Sequence, residues 1–263
     1  MTDMSEIAAI DEMVVKARVA QNAYEAKGSQ GLFDSACQAV AWVLMEPARN
    51  KMLAEMAVAE TGLGRVEDKI RKNHNKTLGL MRDLKDVTSF GHLGDDEVTG
   101  LSSYLRPKGV IAAIVPSTNP LATPVNNIIN ALKTGNAIIL APSPKGVKPL
   151  TTMLTDIHQA LGRLGLPDNL VQMVSAPPSR TKTERLMKLS DLVVVTGSQN
   201  NVRAGYASGT PAIGVGAGNV VTIIDETADI AAAAQKIAAS KTFDNATSCS
   251  SENSVIAVDV VYD

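Results

Sequence analysis

From Gly109 onward the chain repeats one pattern, a short apolar run rich in valine and isoleucine followed by a segment of helical period. The runs fall at residues 110–115, 137–140, 170–174, 192–195 and 220–224. The intervening segments at 120–133, 147–164, 180–188, 199–207 and 228–240 predict helices. Runs this short, apolar on both alternating positions, read as strands buried on both faces. Helices between them supply the crossovers that parallel strands need. The pattern therefore predicts an α/β fold, doubly wound, with helices on both faces of a parallel sheet.

The first eighty-odd residues are helical in period, as in Ile7, Ile10, Val14 and Val15, with a second segment starting near Ser29 and breaks at Pro47 and Gly62-Leu63-Gly64. They read as helices packed on something else, with no evident chemistry. Residues 85–107 lose that period, carry Gly91, Gly94, Gly100 and the run Asp95-Asp96-Glu97, and predict a hairpin-like arm. Residues 253–261 are strand-like and the sequence stops at Asp263, so the expectation is a chain truncated at its C-terminus.

Composition excludes several function classes. A formal net charge of -2 provides no electrostatic case for binding nucleic acid or an anionic membrane surface. No apolar run approaches the ~20 residues needed to span a bilayer, and the acidic start is no signal peptide. His74, His92 and His158 have no metal-ligand spacing, and two cysteines suggest no disulfide framework. The expected compartment is the cytoplasm. Lysine- and glutamate-rich stretches read as solvated faces.

In a doubly wound sheet, ligands bind beyond the carboxyl ends of the strands. Residues 110–115 run into Pro116-Ser117-Thr118-Asn119-Pro120, whose amides suit an anion or a developing oxyanion. The same residue types are preferred helix caps, and spacing alone favours that ordinary reading. Residues 192–195 run into Thr196-Gly197-Ser198, where a glycine permits close approach of a cofactor, although no full G-x-G-x-x-G is present. Gly214-Val215-Gly216-Ala217-Gly218-Asn219 reads as a loop between strands that something approaches closely. Cys249 sits in the polar stretch Thr247-Ser248-Cys249-Ser250-Ser251, unlike Cys37 among helical alanines, and is the better candidate for a reactive thiolate. On composition grounds alone, a lone cysteine without a conspicuous base is only rarely catalytic.

Taken in order, these segments resemble the aldehyde dehydrogenase superfamily and, within it, the CoA-acylating branch. The resemblance rests on Met56-Ala57-Val58-Ala59-Glu60-Thr61-Gly62, Val66-Glu67-Asp68-Lys69, Lys72-Asn73-His74, Ile114 to Pro120, Lys133 to Ile139, Pro211 to Asn219 and Lys241-Thr242-Phe243-Asp244-Asn245. That branch includes acetaldehyde, propionaldehyde and sulfoacetaldehyde dehydrogenases and the N-terminal half of bifunctional aldehyde–alcohol dehydrogenases. The resemblance implies a Rossmann-type NAD(P)-binding domain over residues 1–242, with N-terminal helices and the arm near 85–107, and the start of an α/β catalytic domain over 243–263. It implies that Cys249 is the nucleophile and Asn119 the oxyanion-hole amide. Ile114, Val115, Pro116, Ser117, Thr118, Ser198 and Gly216 match cofactor-contacting positions, with Gly197 beside them and the Ser143-Pro144 turn near the adenosine. Implied partners are NAD or NADP, a small aldehyde and coenzyme A, and the arm implies a homo-oligomer.

Hydrolytic members carry a glutamate base in a Glu-Leu-Gly-Gly-Lys motif, whereas this sequence has Gly214-Val215-Gly216-Ala217-Gly218. Without that carboxylate a thiol is a better acyl acceptor than water, and the Cys249-x-x-Glu252 spacing also resembles the acylating branch. Expected products are acyl-CoA from a short-chain aldehyde, with an NADP-dependent sulfoacetaldehyde dehydrogenase as the alternative. A hydrolytic aldehyde dehydrogenase, an acyl-phosphate reductase and an inactive truncated nucleotide-binding module remain rival readings.

Overall fold

The protein begins with four helices, α1 (Thr2–Ala26), α2 (Gln30–Met45), α3 (Pro47–Thr61) and α4 (Val66–Asp83). The computed structural model describes residues 2–262, so Asp263 lies outside the described residues. Local chemistry sets the helix ends. Ser29 caps α2 by accepting from the Leu32 amide at 3.2 Å, and the Glu46 carboxylate caps α3 by accepting from the Ala48 and Arg49 amides. Pro47 occupies the first turn of α3, and Gly62 ends it in the left-handed region at φ 68°. Glu67 and Asp68 in the first turn of α4 complement its dipole. The predicted arm is an exposed antiparallel hairpin of β1 (Gly91–Asp96) and β2 (Leu101–Leu105).

The chain then enters the sheet: β3 (Val110–Val115), α5 (Ala122–Lys133), β4 (Ala137–Pro142), α6 (Val147–Gly162), β5 (Val171–Met173), α7 (Arg180–Leu189), β6 (Leu192–Thr196), α8 (Gln199–Tyr206) and β7 (Ala212–Val215). All its pairings are parallel, in the order β5-β4-β3-β6-β7. Every residue of β3 and β4 is buried, which is why these runs lack polar alternation. α1 and α7 cover one face, and α5 and α6 the other, with α2 packed outside them. The chain builds outward from β3 to β5, then returns and builds the other way through β6 and β7. The switch point therefore lies between β3 and β6, where a crevice opens at the carboxyl ends.

Two expectations need correction. Residues 214–219 are not wholly a loop, because Gly214 and Val215 belong to β7. That strand forms because Gly214 leaves room for α8: a Cβ there would lie 2.7 Å from Val202 Cγ1 and 3.0 Å from the Tyr206 ring. The run Val220–Ile224, β8, does not join the main sheet. It pairs in parallel with β9 (Glu252–Ala257), across α9 (Ile230–Thr242). Its burial alternates, unlike that of β3 and β4, with Val221 and Ile223 exposed.

Polar links tie the N-terminal helices to the sheet. Asp191 accepts from the Val110 amide at 2.7 Å and pairs with Arg18 of α1 at 2.9 Å. Tyr24 donates to the Leu132 carbonyl at 3.1 Å, and its ring packs on Phe33. No helix among the described residues is long and apolar enough to cross a membrane.

Candidate active site

A cleft of 1180 Å³ opens at the switch point, and every site residue expected from the sequence lines it. Ile114 and Val115 end β3. Pro116, Ser117, Thr118 and Asn119 form the following turn. Ser143 and Pro144 follow β4, Gly197 and Ser198 follow β6, and Gly216 follows β7. Cys249 lines the same cleft.

The ordinary capping reading of the 116–120 turn does not hold. The cap position of α5 is Leu121, with no side-chain cap bond, so Ser117, Thr118 and Asn119 are not consumed in capping. Ser198 does cap α8, accepting from the Asn201 amide at 3.3 Å. Gly197 N–H donates to the Val215 carbonyl at 3.1 Å, which fixes the β6 turn against β7. Ser143 Oγ is buried without a hydrogen-bond partner, an open valence at the edge of the cleft.

The cysteine wall is anchored from α4. The chain leaves α9 through Asp244, Asn245 and Ala246, all at positive φ (52°, 53° and 57°). Such backbone persists only where its surroundings over-determine it, and here they do. Asp244 is fully buried. Its carboxylate accepts from Lys69 Nζ at 3.0 Å, the Arg65 amide at 2.9 Å, Thr247 Oγ1 at 2.7 Å and Lys72 Nζ. Its own amide donates to Asp68 at 3.0 Å. Burial pushes the Asp244 carboxyl up, but the hydrogen bonds, with Lys72 foremost, outweigh it and hold the group below its ordinary value. For Lys72, burial foremost, joined by the neighbouring Lys69 and Lys76 charges, outweighs the raising effect of Asp244, so its ammonium titrates below the usual lysine range. The same two lysines reach the β3 turn: Lys69 donates to the Thr118 carbonyl at 3.2 Å, and Lys72 to Asn119 Oδ1 at 3.0 Å.

Cys249 is exposed with a free thiol. Asn253 Nδ2 donates to the Gly218 carbonyl at 2.8 Å, which holds the glycine segment beside the cysteine loop. Cys37 is buried, and burial pushes its thiol up to about 12. The period of the N-terminal helices shows no chemistry, yet Lys69 and Lys72 are 3% and 4% exposed. Glu184 is the one carboxylate among the described residues lining the cleft, and it accepts from Arg180 Nε at 2.6 Å.

A sequence profile described as the aldehyde dehydrogenase family matches residues 6–263. The chain belongs to the aldehyde dehydrogenase family. A sulfoacetaldehyde dehydrogenase (acylating) from Cupriavidus necator is 58% identical over 254 residues, covering 97% of this chain and 51% of that protein. Among solved structures, an acetylating aldehyde dehydrogenase from Geobacillus thermoglucosidasius superposes with a TM-score of 0.91 at 36% identity, covering 99% of this chain and 57% of that one. A propionaldehyde dehydrogenase from Rhodopseudomonas palustris, with bound CoA and an acylated cysteine, gives a TM-score of 0.85 at 34% identity, covering 97% and 57%. The chain thus spans about half the length of the curated relatives it matches. The α/β architecture with its parallel sheet matches that of the acetylating aldehyde dehydrogenase from Geobacillus thermoglucosidasius.

Proposed function

We propose that this chain carries the nucleotide cleft and the nucleophile of a CoA-acylating aldehyde dehydrogenase. The observation that carries the reading is convergence: Cys249 and the ends of four strands, Asn119 among them, line one cleft although they lie far apart in sequence.

In this reading the Cys249 thiolate attacks the aldehyde carbon, and the carbonyl electrons move onto oxygen. The Asn119 amide and the Cys249 backbone N–H stabilise that oxyanion, a term worth ~10²–10³ in turnover per donor. Ile114 to Thr118, Ser143, Pro144, Gly197, Ser198 and Gly216 would hold NAD or NADP, and the unpartnered Ser143 Oγ fits a ligand with donors or acceptors. A bound nicotinamide supplies the acceptor for the hydride that leaves the former aldehyde carbon. What remains on Cys249 is a thioester, whose acyl group passes to the thiol of coenzyme A with release of the cysteine.

The choice of thiol over water follows from the cleft wall. Gly214-Val215-Gly216-Ala217-Gly218, the stretch matching the one in which hydrolytic members carry their base, has no carboxylate, and Glu184 of the cleft lining is paired with Arg180. Similarity to the Cupriavidus necator protein supports sulfoacetaldehyde as the aldehyde, ahead of acetaldehyde-like substrates. We place the division between nucleotide and catalytic domains near residues 216–219, since β8 and β9 form a sheet of their own. The exposed hairpin, with Leu93, Leu101 and Tyr104 at its surface, suits assembly into a homo-oligomer. A cytoplasmic setting suits the free Cys249 thiol.

The test follows reduced-nicotinamide formation from sulfoacetaldehyde and acetaldehyde by the complete enzyme, with and without CoA. Strict dependence on both CoA and Cys249 supports the reading. CoA-independent turnover means that water accepts the acyl group and refutes it.

A further inference from the structure

Two parts of the cleft, far apart in the chain, meet at one ammonium group. Lys72 projects from α4, and its Nζ donates to Asn119 Oδ1 at 3.0 Å and to Asp244 Oδ2. These partners lie 47 and 172 residues away in sequence. Lys69, one turn earlier, repeats the arrangement on the backbone of the same turn, bonding the Thr118 carbonyl at 3.2 Å and Asp244 Oδ2 at 3.0 Å. One face of α4 therefore grips the β3 turn and the root of the cysteine loop together.

The bond to Asn119 has a directional consequence. A side-chain amide has two ends, an acceptor oxygen and a donor nitrogen, and a half-turn exchanges them. An ammonium has only donors, so beside Lys72 the oxygen must face the lysine. Nδ2 is then turned away from α4 and makes no hydrogen bond with any described residue. An oxyanion can be stabilised only by that nitrogen end. With the amide flipped, its oxygen would face the developing charge and repel it.

We infer that Lys72 is a positioning residue that turns the Asn119 amide N–H toward the reacting carbonyl and, through Asp244, holds the Cys249 loop beside it. This rests on the proposed roles of Asn119 and Cys249. Lys72 itself is not among the residues lining the cleft. Lys69 keeps Asp244 paired when Lys72 is replaced, so the loop root retains a cation and the fold an anchor.

The experiment is a double-mutant cycle in the complete enzyme with Lys72→Met, Asn119→Ala and the pair. It reads kcat and KM for aldehyde oxidation and the Kd of the nicotinamide dinucleotide. The inference expects each single change to lower kcat by ~10²-fold. It expects the pair to fall no more than about threefold below the worse single variant, because both remove one function. The dinucleotide Kd should stay within about twofold, since neither Lys72 nor Asn119 is among the residues proposed to hold the dinucleotide. Lys72→Arg, which keeps a donor-only cation, should recover part of kcat and serves in the same cycle if Lys72→Met does not fold. Multiplicative losses, or a Lys72 variant that changes KM or Kd while sparing kcat, would overturn the inference. If Asn119→Ala alone spares kcat, the role proposed for Asn119 fails, which is distinguishable from failure of the inference.

Discussion

Gly218 and Cys249 meet backbone to backbone: a Cβ at position 218 would lie 1.8 Å from the Cys249 carbonyl oxygen. No rotamer relieves such a contact, because both groups are main chain. The glycine-rich segment is therefore the surface against which the nucleophile loop is set. Gly218→Ala must push that loop away. Overpacking of this kind typically costs ~1–3 kcal/mol, and a displacement of ~1 Å at a reacting group can cost ~10²-fold in rate. We expect the variant to bind nicotinamide dinucleotide but to lose most of its turnover and to change its rate of Cys249 alkylation. Unchanged alkylation kinetics would show that the loop tolerates the methyl group.

The two cysteines should separate cleanly by reactivity. Cys249 is exposed, whereas Cys37 is buried, donates to the Ile129 carbonyl at 3.4 Å and has its thiol pushed up to about 12. At pH ~8 iodoacetamide should therefore add once per chain, at Cys249, and a second addition should need denaturant. Intact-mass measurement on Cys249→Ala, which should take up no label while folded, checks this directly.

Asp244 makes the cleft acid-sensitive. Its folded carboxyl titrates below the ordinary aspartate value, so the folded state binds fewer protons than the unfolded state as pH falls through that range. Its stabilisation is complete above the unfolded value near ~3.9 and is lost as pH drops through the folded one. Asp244→Asn leaves two buried ammoniums without a counter-charge and should cost ~3 kcal/mol or more at neutral pH. Its melting temperature should also lack part of the acid dependence of the wild type. Melting curves for both proteins between neutral and strongly acidic pH test the sign.

Ser143 should behave oppositely with and without ligand. Its buried, unpartnered Oγ carries a desolvation cost of ~1–3 kcal/mol. Ser143→Ala should thus be neutral or stabilising in the ligand-free protein and should weaken dinucleotide binding severalfold. Thermal melts paired with calorimetric titration of NAD and NADP would reveal both effects. Tighter binding by the variant would remove Ser143 from the cofactor site.

Much of this protein was legible as sequence because the signals are local. The buried runs at β3, β4 and β6 lack polar alternation, and Gly62 and Pro47 punctuate helices through their own backbone limits. Cys249 stands out from Cys37 by its neighbours alone. β7 was obscured because Gly214 is there for packing against Val202 and Tyr206, a reason that only a neighbouring helix supplies. The partner of β8 was equally hidden, since pairing between residues 220–224 and 252–257 is a choice between sheets.

Sequence alone determined the alternation of strands and helices, the strand-end turns and the identity of the polar loop cysteine, since each depends on residues within a few positions. Only the tertiary structure decided that Lys69 and Lys72 are buried rather than solvated. Their burial needs Asp244, 172 residues beyond Lys72, to lie within hydrogen-bond reach and offset the desolvation of two ammoniums. Whether a lysine is a surface charge or a buried anchor depends on what the fold brings to it, and no local pattern carries that information.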